Sequence, residues 1–265
     1  KRYRHIPVFC RTKEVLMADI CLVEPKYKEY DFTYVPTGLL SLAAKLMEYG
    51  HNVDVYYCNN LPKRYNIIGI SSTFVQYCNA LDIARRAFAD VTILGGAYVT
   101  TDAPAAMKST LFDYGVIGDG EDALAWLVRG KNPERIPGVV YKRSGAIVIN
   151  PNLDYDSRVK GDRWPIPAYS CFVGDVGGYI NITKNREYVW NWGWQRRNRP
   201  KLYRDFQKEV SELLSLGVRG AYVTDENFGS NPGGLRLTVE ALDRFESWRC
   251  RSTVDEIVNR RLDLK

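Results

Sequence analysis

The sequence has very little histidine and no clustered cysteine. Only two of its 265 residues are histidines, His5 and His51, which excludes most histidine-based catalysis and most zinc sites. The six cysteines are scattered without a Cys-x-x-Cys or Cys-x-x-x-Cys pair, so a metal site built from neighbouring thiolates is not expected. Cys21 and Cys58 fall in apolar, strand-like runs and are interpreted as reduced core residues.

Long apolar runs are also absent. No run approaches the roughly 18 residues that a membrane-spanning helix needs, and the basic N-terminus lacks the apolar segment of a signal peptide. With reduced cysteines, these features predict a cytoplasmic protein. The net charge of +6 permits an acidic partner without requiring one.

Residues 18–150 are an alternation of short apolar segments and helical patterns. Strict alternation of this kind predicts an α/β fold with a doubly wound parallel sheet of flavodoxin-like or Rossmann type. Strands are expected at Ala18–Glu24, Asn52–Tyr57, Ile67–Ser72, Val91–Leu94 and Tyr114–Ile117. Helices are expected at Pro36–Gly50, Asn79–Ala89 (with Phe88 inward), Ala103–Ser109 and Asp122–Arg129, followed by a hairpin over Gly138–Asn150.

The rest of the chain divides around a polar stretch. Residues 1–17 form a basic arm or a poorly ordered tail, and residues 151–167, without periodicity, are interpreted as a linker. A second strand–helix series follows over residues 168–265. Its expected elements are strand Tyr179–Ile182, helix Leu202–Leu216, strand Gly220–Thr224, helix Leu235–Trp248 and a third strand near Arg251–Val254.

Small and polar residues follow the strands of the first series. Ligands of open α/β sheets bind beyond the carboxyl ends of the strands, and adjacent glycines let a flat ligand approach and expose amide donors. The alternative is that these glycines only form the tight turns that the fold needs. The candidate cofactor-binding residues here are Ser71, Ser72, Gly95, Gly96, Gly118, Gly120 and Glu121.

Short sequence motifs, in a fixed order, are found along nearly the whole chain. In residues 18–150 they are Pro36-Thr37-Gly38-Leu39, Gly50-His51-Asn52-Val53, Gly69-Ile70-Ser71, Leu94-Gly95-Gly96-Ala97 and Val116-Ile117-Gly118-Asp119-Gly120-Glu121. In residues 163–265 they are Trp164-Pro165-Ile166-Pro167, Arg199-Pro200, the helix Phe206–Leu216 and Thr224-Asp225-Glu226-Asn227-Phe228. The first part resembles the cobalamin-binding domain that precedes many radical S-adenosylmethionine (SAM) enzymes. The second is similar to the first half of their partial (βα) barrel.

The resemblance implies cobalamin as a candidate cofactor, bound without histidine. Cobalamin binders that exchange the lower axial base use an Asp-x-His-x-x-Gly loop after the first strand. The matching stretch here, residues 24–30 (EPKYKEY), has neither His nor Gly. His51 begins the second strand, at the opposite end of the sheet.

In the second part, the resemblance implies a catalytic loop that has lost its cysteines. The family holds an iron–sulfur cluster with Cys-x-x-x-Cys-x-x-Cys, whose open iron position binds SAM. That spacing falls on Glu187, Asn191 and Trp194, and no cysteine lies between Cys171 and Cys250. No iron–sulfur cluster is therefore expected. Asp225, Glu226 and Asn227 match the place where the family contacts the SAM amino group, or they cap a turn.

Aromatic and basic residues fill this loop instead. Tyr188, Trp190, Trp192 and Trp194 are interpreted as packing into the vacated volume. Alternatively, they form a stacking surface beside Arg196, Arg197 and Arg199, which with the basic N-terminus would suit single-stranded nucleic acid. The chain supplies at most three βα units, fewer than the family's barrel, so a protein partner, a second copy or the first domain is expected to cover the open side.

These observations lead to alternative functions. The first hypothesis is a non-catalytic, truncated member of the family, reused as a binding or structural component of a larger assembly. The alternative is a cobalamin- or SAM-dependent enzyme, of methyltransferase or radical type, with an altered site. Nucleic-acid binding is a third possibility.

Overall fold

The computed structural model describes residues 17–27, 34–151, 165–186, 199–225, 227–229 and 234–259. The chain forms two compact units. The first comprises Lys1–Phe32 and Gly38–Gly174, and the second comprises Thr33–Thr37 and Asp175–Lys265.

The first unit is built on a seven-stranded sheet in the order β2-β1-β3-β4-β5-β6-β7. Its first five strands are parallel, and the strand order reverses between β1 and β3. This order is that of the flavodoxin-like doubly wound fold, so the predicted fold class is confirmed. The strands are β1 (Asp19–Glu24), β2 (Asn52–Tyr57), β3 (Tyr65–Ser71), β4 (Ala89–Gly95), β5 (Tyr114–Val116), β6 (Val139–Arg143) and β7 (Ala146–Ile149).

The central strands form the core because they are apolar on both faces. In β1 the run Ile20–Val23 is fully buried, and β3 buries Ile67, Ile68 and Ile70. Continuous burial of this kind is typical of parallel strands covered by helices on both sides. The predicted hairpin over Gly138–Asn150 also forms, and it pairs antiparallel with β5 and so extends the sheet.

Among the described residues of the first unit, five helices connect the strands. They are α1 (Thr37–Met47), α2 (Tyr77–Arg86), α3 (Ala97–Thr101), α4 (Ala103–Ala106) and α5 (Glu121–Val128). The sequence pattern missed α3, which follows directly after Gly96. The inward position of Phe88 was wrong: α2 ends at Arg86, and the Phe88 side chain is 78% exposed.

The second unit contains three parallel strands in the order β12-β11-β8 and a two-stranded antiparallel pair, β9 with β10. The strands are β8 (Tyr179–Ile182), β9 (Asn185–Arg186), β10 (Arg199–Pro200), β11 (Gly220–Val223) and β12 (Ser247–Arg249). The helices are α6 (Tyr203–Ser215), α7 (Leu235–Leu242) and α8 (Val254–Asn259).

The predicted end of this series was wrong. The expected helix over Leu235–Trp248 ends at Leu242, and the third strand is Ser247–Arg249 rather than a segment near Arg251–Val254. A helix, α8, begins where that strand was expected. In the part of the chain that the structure describes, no helix is both long and apolar enough to cross a membrane.

Candidate ligand-binding site

A pocket opens at the carboxyl edge of the first unit's sheet, beside the switch point between β1 and β3. Its cavity volume is about 70 Å³, below the roughly 300–1,000 Å³ of small-molecule sites, so the pocket can take only one part of a larger ligand. The lining is largely apolar, with leucines from α1 and α5 facing the strand ends. The lining residues are Leu22, Leu39, Leu42, Gly69, Ile70, Ser71, Ile93, Gly95, Gly96, Val116, Gly118, Gly120 and Leu124.

The structure therefore brings five of the seven candidate residues of this edge to one pocket. They are Ser71, Gly95, Gly96, Gly118 and Gly120. Ser72 and Glu121 do not line it. The sequence reasoning missed Leu39, Leu42 and Leu124, although their apolar helical spacing marked them as inward-facing, because nothing in that spacing separates a pocket wall from a packed core.

Gly95 and Gly120 have no structural need to be glycine. Neither has a positive φ. A Cβ built on Gly95 would come no closer than 4.0 Å to any atom, the carbonyl oxygen of Ile70, and one on Gly120 would make only ordinary 3.5 Å contacts. Their missing side chains widen the pocket, as expected where another molecule approaches the backbone closely.

Gly96 is glycine for a different reason. Its φ is +91°, and a Cβ there would lie 2.7 Å from the amide nitrogen of Ser72 and 2.8 Å from its carbonyl oxygen. Ser72 itself is buried and bonded: its amide donates to Gly95 O, its carbonyl accepts from the amide of Tyr98, and its hydroxyl donates to Thr73 O. Gly96 is therefore explained by the second interpretation, in which a glycine is needed only to form the tight turn after the strand.

The amide of Gly118 is already engaged. It donates to Thr100 Oγ1 over 3.0 Å, and that hydroxyl donates in turn to Gly96 O over 2.8 Å. The Gly118 amide is thus not a free donor, and the lining of the pocket is mainly apolar. Glu121 begins α5 next to the pocket-lining Gly120.

Histidine is remote from this edge. His51 precedes β2, at the amino edge of the sheet, and is 5% exposed. Its Nδ1 accepts from the amide of Ala18, and its Nε2 is buried without a hydrogen-bond partner in the described structure. Burial, and secondarily the charge of Arg129, lower the pKa of His51 below its usual value. His51 therefore cannot act as an axial ligand at the carboxyl edge, and His5 lies outside the described residues.

In the second unit, polar side chains cluster at the carboxyl ends of β8 and β11. Asp225 is 1% exposed and accepts the backbone amide of Lys184 over 2.8 Å. Asn227 accepts the amide of Thr253 over 3.0 Å. These two candidate SAM contacts thus hold the strand ends together within the chain. Glu226 lies outside the described residues.

A buried ionic network lies beneath this edge, and sequence reasoning did not find it. Lys184 Nζ donates to Lys201 O, and Lys201 Nζ pairs with Glu209 of α6, both ion-pair side chains being almost fully buried. Burial lowers the pKa of Lys184; Asp225 opposes this shift and Lys201 adds to it. Together with the β9–β10 pair, this network ties the two ends of segment 187–198 to the unit.

That segment lies outside the described residues. It contains the expected cluster positions Glu187, Asn191 and Trp194, the aromatic residues Tyr188, Trp190 and Trp192, and Arg196 and Arg197. Their proposed roles stay predictions. In the described residues, no group of three His, Cys, Asp or Glu side chains is placed to hold a metal ion.

Comparison with solved structures identifies proteins of the same fold. TsrM from Kitasatospora setae, a radical SAM methyltransferase solved with tryptophan substrate and aza-SAM, matches with TM-score 0.66 and 16% identity, over 87% of this chain and 54% of its own. TsrM with cobalamin and a [4Fe-4S] cluster matches with TM-score 0.65 and 16% identity, over 88% and 54%. OxsB, a cobalamin-dependent SAM radical enzyme solved with aqua-cobalamin and SAM, matches with TM-score 0.66 and 14% identity, over 86% and 37%.

The chain spans about half the length of the TsrM structures and a smaller share of OxsB. No protein-family model matches the sequence, and no curated protein matches it. At these identities the comparisons show the shared fold.

Proposed function

We propose that the first unit binds a corrinoid at the carboxyl edge of its sheet, with the aromatic base of the ligand's nucleotide tail in the glycine-lined pocket. The observation that carries this proposal is the pair Gly95 and Gly120, whose missing side chains leave room that the fold itself does not require. The apolar lining fits an aromatic nucleotide base. No histidine among the described residues lies at this edge, so cobalt ligation by the chain is not part of the proposal.

The solved structures of the same fold support this assignment, since TsrM and OxsB were solved with cobalamin bound. They favour a cobalamin- or SAM-dependent methyltransferase over a non-catalytic component. Cobalamin supplies a cobalt centre that carries a methyl group. The pocket residues of this chain would hold and orient the ligand, while Leu39, Leu42 and Leu124 exclude water from its tail.

A non-catalytic binding protein is the second candidate, because of one specific observation. No cysteine lies between Cys171 and Cys250, so the loop after β8 cannot supply three thiolates to an iron–sulfur cluster. Such a protein would keep the corrinoid site and lose radical chemistry.

The pocket assignment is tested by filling the pocket from the strand. Gly95→Val places a β-branched side chain, which strands favour, at a position where a Cβ has no contact closer than 4.0 Å. We expect folding to be retained and hydroxocobalamin affinity, measured by equilibrium dialysis, to fall at least about tenfold, which corresponds to about 1.4 kcal/mol.

Gly178→Val is the matched control. Gly178 precedes β8 in the second unit, is exposed, and a Cβ there would contact nothing within 4 Å. This variant is expected to bind hydroxocobalamin like the wild type. Equal affinity of the wild type and Gly95→Val would place the corrinoid elsewhere, and no binding by the wild type would refute the proposal.

A second experiment separates the two candidate functions. The protein is incubated without oxygen with iron, sulfide, SAM, hydroxocobalamin and a chemical reductant (dithionite) that supplies the electrons for SAM cleavage and cobalt reduction, and SAM products are measured. Formation of S-adenosylhomocysteine or 5′-deoxyadenosine would support the enzyme. Bound corrinoid with intact SAM would support the binding protein.

A further inference from the structure

Two large apolar side chains stand exposed on the loop after β3. Phe74 is 73% exposed and Val75 is 55% exposed. The loop starts at the carboxyl end of a central strand, directly after Ser71, which lines the glycine pocket. Leaving a phenylalanine in water forgoes about 1.5–3 kcal/mol of burial energy, which a bound apolar surface could recover.

The loop is fixed by hydrogen bonds at both ends. Gln76 Oε1 accepts from the amide of Thr73 over 3.0 Å and from its hydroxyl over 2.7 Å. Gln76 Nε2 donates to Pro25 O over 2.8 Å and to Glu24 over 3.2 Å. The loop after β3 is therefore held to the end of β1, and its exposed side chains are positioned before any ligand arrives.

An aromatic series supports Phe74 from beneath. The ring of Phe74 packs edge-on against Tyr98 with centroids 5.3 Å apart, and Tyr98 packs in the same way on Tyr77 at 4.8 Å. Tyr77 contacts buried Phe112 and donates its hydroxyl to Ala106 O. Such contacts fix ring orientation, so the exposed ring is anchored to the core.

Phe74 and Tyr98 each follow a strand end that lines the pocket. Phe74 lies three residues after Ser71, and Tyr98 lies two residues after Gly96. The helices α1 and α5 supply the leucines of the pocket, while Phe74 and Tyr98 belong to the connections around α2 and α3. The pocket and Phe74 therefore share the carboxyl edge of the sheet, over which a ligand larger than the pocket would extend.

We propose that Phe74, with Val75, is a preformed apolar contact for the flat macrocycle of the ligand whose tail occupies the glycine pocket. This inference rests on the proposed function and deepens it, because it assigns recognition of the macrocycle to the loop after β3. The pocket recognises the tail of the ligand, and Phe74 recognises the broad apolar face of its macrocycle. A ligand without a macrocycle gains nothing from this contact.

The test compares Phe74→Ala with Phe88→Ala. Both phenylalanines are highly exposed, but Phe88 directly precedes β4, at the amino edge of the sheet. Because neither ring is buried, neither substitution creates a core cavity. The probes are hydroxocobalamin and dicyanocobinamide, which has the macrocycle but lacks the nucleotide tail.

We expect Phe74→Ala to lose about tenfold to a hundredfold in affinity for both probes and Phe88→Ala to bind like the wild type. In contrast, Gly95→Val is expected to weaken hydroxocobalamin much more than dicyanocobinamide. If the wild type binds hydroxocobalamin and Phe74→Ala binds it equally well, the inference fails while the proposed function stands. If the wild type binds neither probe, the proposed function fails, and the inference that rests on it fails as well.

Discussion

At the scale of single residues, two adjacent glycines illustrate two different physical requirements. Gly95 has ordinary backbone angles and space around its Cα, whereas Gly96 has a positive φ and the backbone of Ser72 against it. The sequence shows only a glycine pair at a strand end. It marks the place correctly, but it cannot say which glycine serves the backbone and which leaves room for a ligand.

Gly96→Ala is expected to destabilise the first unit by about 2–4 kcal/mol, because alanine is strained at positive φ and its Cβ would clash with Ser72. The free energy of unfolding in urea measures this effect. Gly95→Ala is the control and should be as stable as the wild type or slightly more so. Equal midpoints for the wild type and Gly96→Ala would show that this turn is not as tight as described.

His51 gives an expected pH dependence. Burial lowers its pKa in the folded state below the usual value of 6.5, so the unfolded chain takes up the proton first as the pH falls. The stability from neutral His51 is therefore present above pH 6.5 and is lost as the pH falls from there toward the lowered pKa.

We expect His51→Gln to reduce the loss of stability between pH 7.5 and pH 5, compared with the wild type, in urea unfolding at each pH. Glutamine cannot titrate, and the carboxylates that contribute in this range are common to both proteins. Identical pH dependence in the two proteins would contradict the burial of an uncharged His51.

At the scale of elements, α6 is held by a buried ion pair rather than by apolar packing alone. Lys201 and Glu209 are both nearly inaccessible to solvent. The apolar period of the helix, with Phe206, Val210 and Leu213 buried, is visible in the sequence. The buried Glu209 is not, because an acidic residue in an amphipathic helix is normally assigned to the solvent face.

Lys201→Met should destabilise the second unit by about 3–5 kcal/mol, because it leaves Glu209 buried without this partner. The double variant Lys201→Met, Glu209→Met should recover much of that loss. Arg236→Met, which breaks the exposed Arg236–Glu240 pair of α7, should change stability by less than about 1 kcal/mol. Chemical denaturation measures all three, and a double variant no more stable than Lys201→Met would exclude the uncompensated charge as the cause.

The helices and strands differ in how accurately the sequence predicted their bounds. β2 and β8 match their expected bounds, since alternation and flanking turns define them locally. The region after α7 does not, because the apolar period continues past Leu242 while residues Ser247–Arg249 pair with β11. Long-range strand pairing of this kind overrides a local helical pattern.

At the scale of the whole molecule, the doubly wound sheet and its ligand edge were predictable, because strand–helix alternation fixes where the carboxyl ends meet. The pocket was not, because its walls come from helices whose inward leucines resemble any core residues. The ionic network of the second unit was missed for a related reason, because lysine and glutamate side chains are normally assigned to the solvent face. The role of segment 187–198 and the expected partner for the second unit stay predictions.

The central claim is that a corrinoid binds the first unit with its tail in the glycine pocket and without a histidine ligand. Electron paramagnetic resonance of bound cob(II)alamin tests it most directly, because a nitrogen ligand on cobalt splits the signal into triplets. We predict one bound corrinoid per chain and no nitrogen splitting, since a tail base held in the pocket would not be available to cobalt and His51 lies at the opposite edge. Triplet splitting in the bound state, or no binding, would contradict the account.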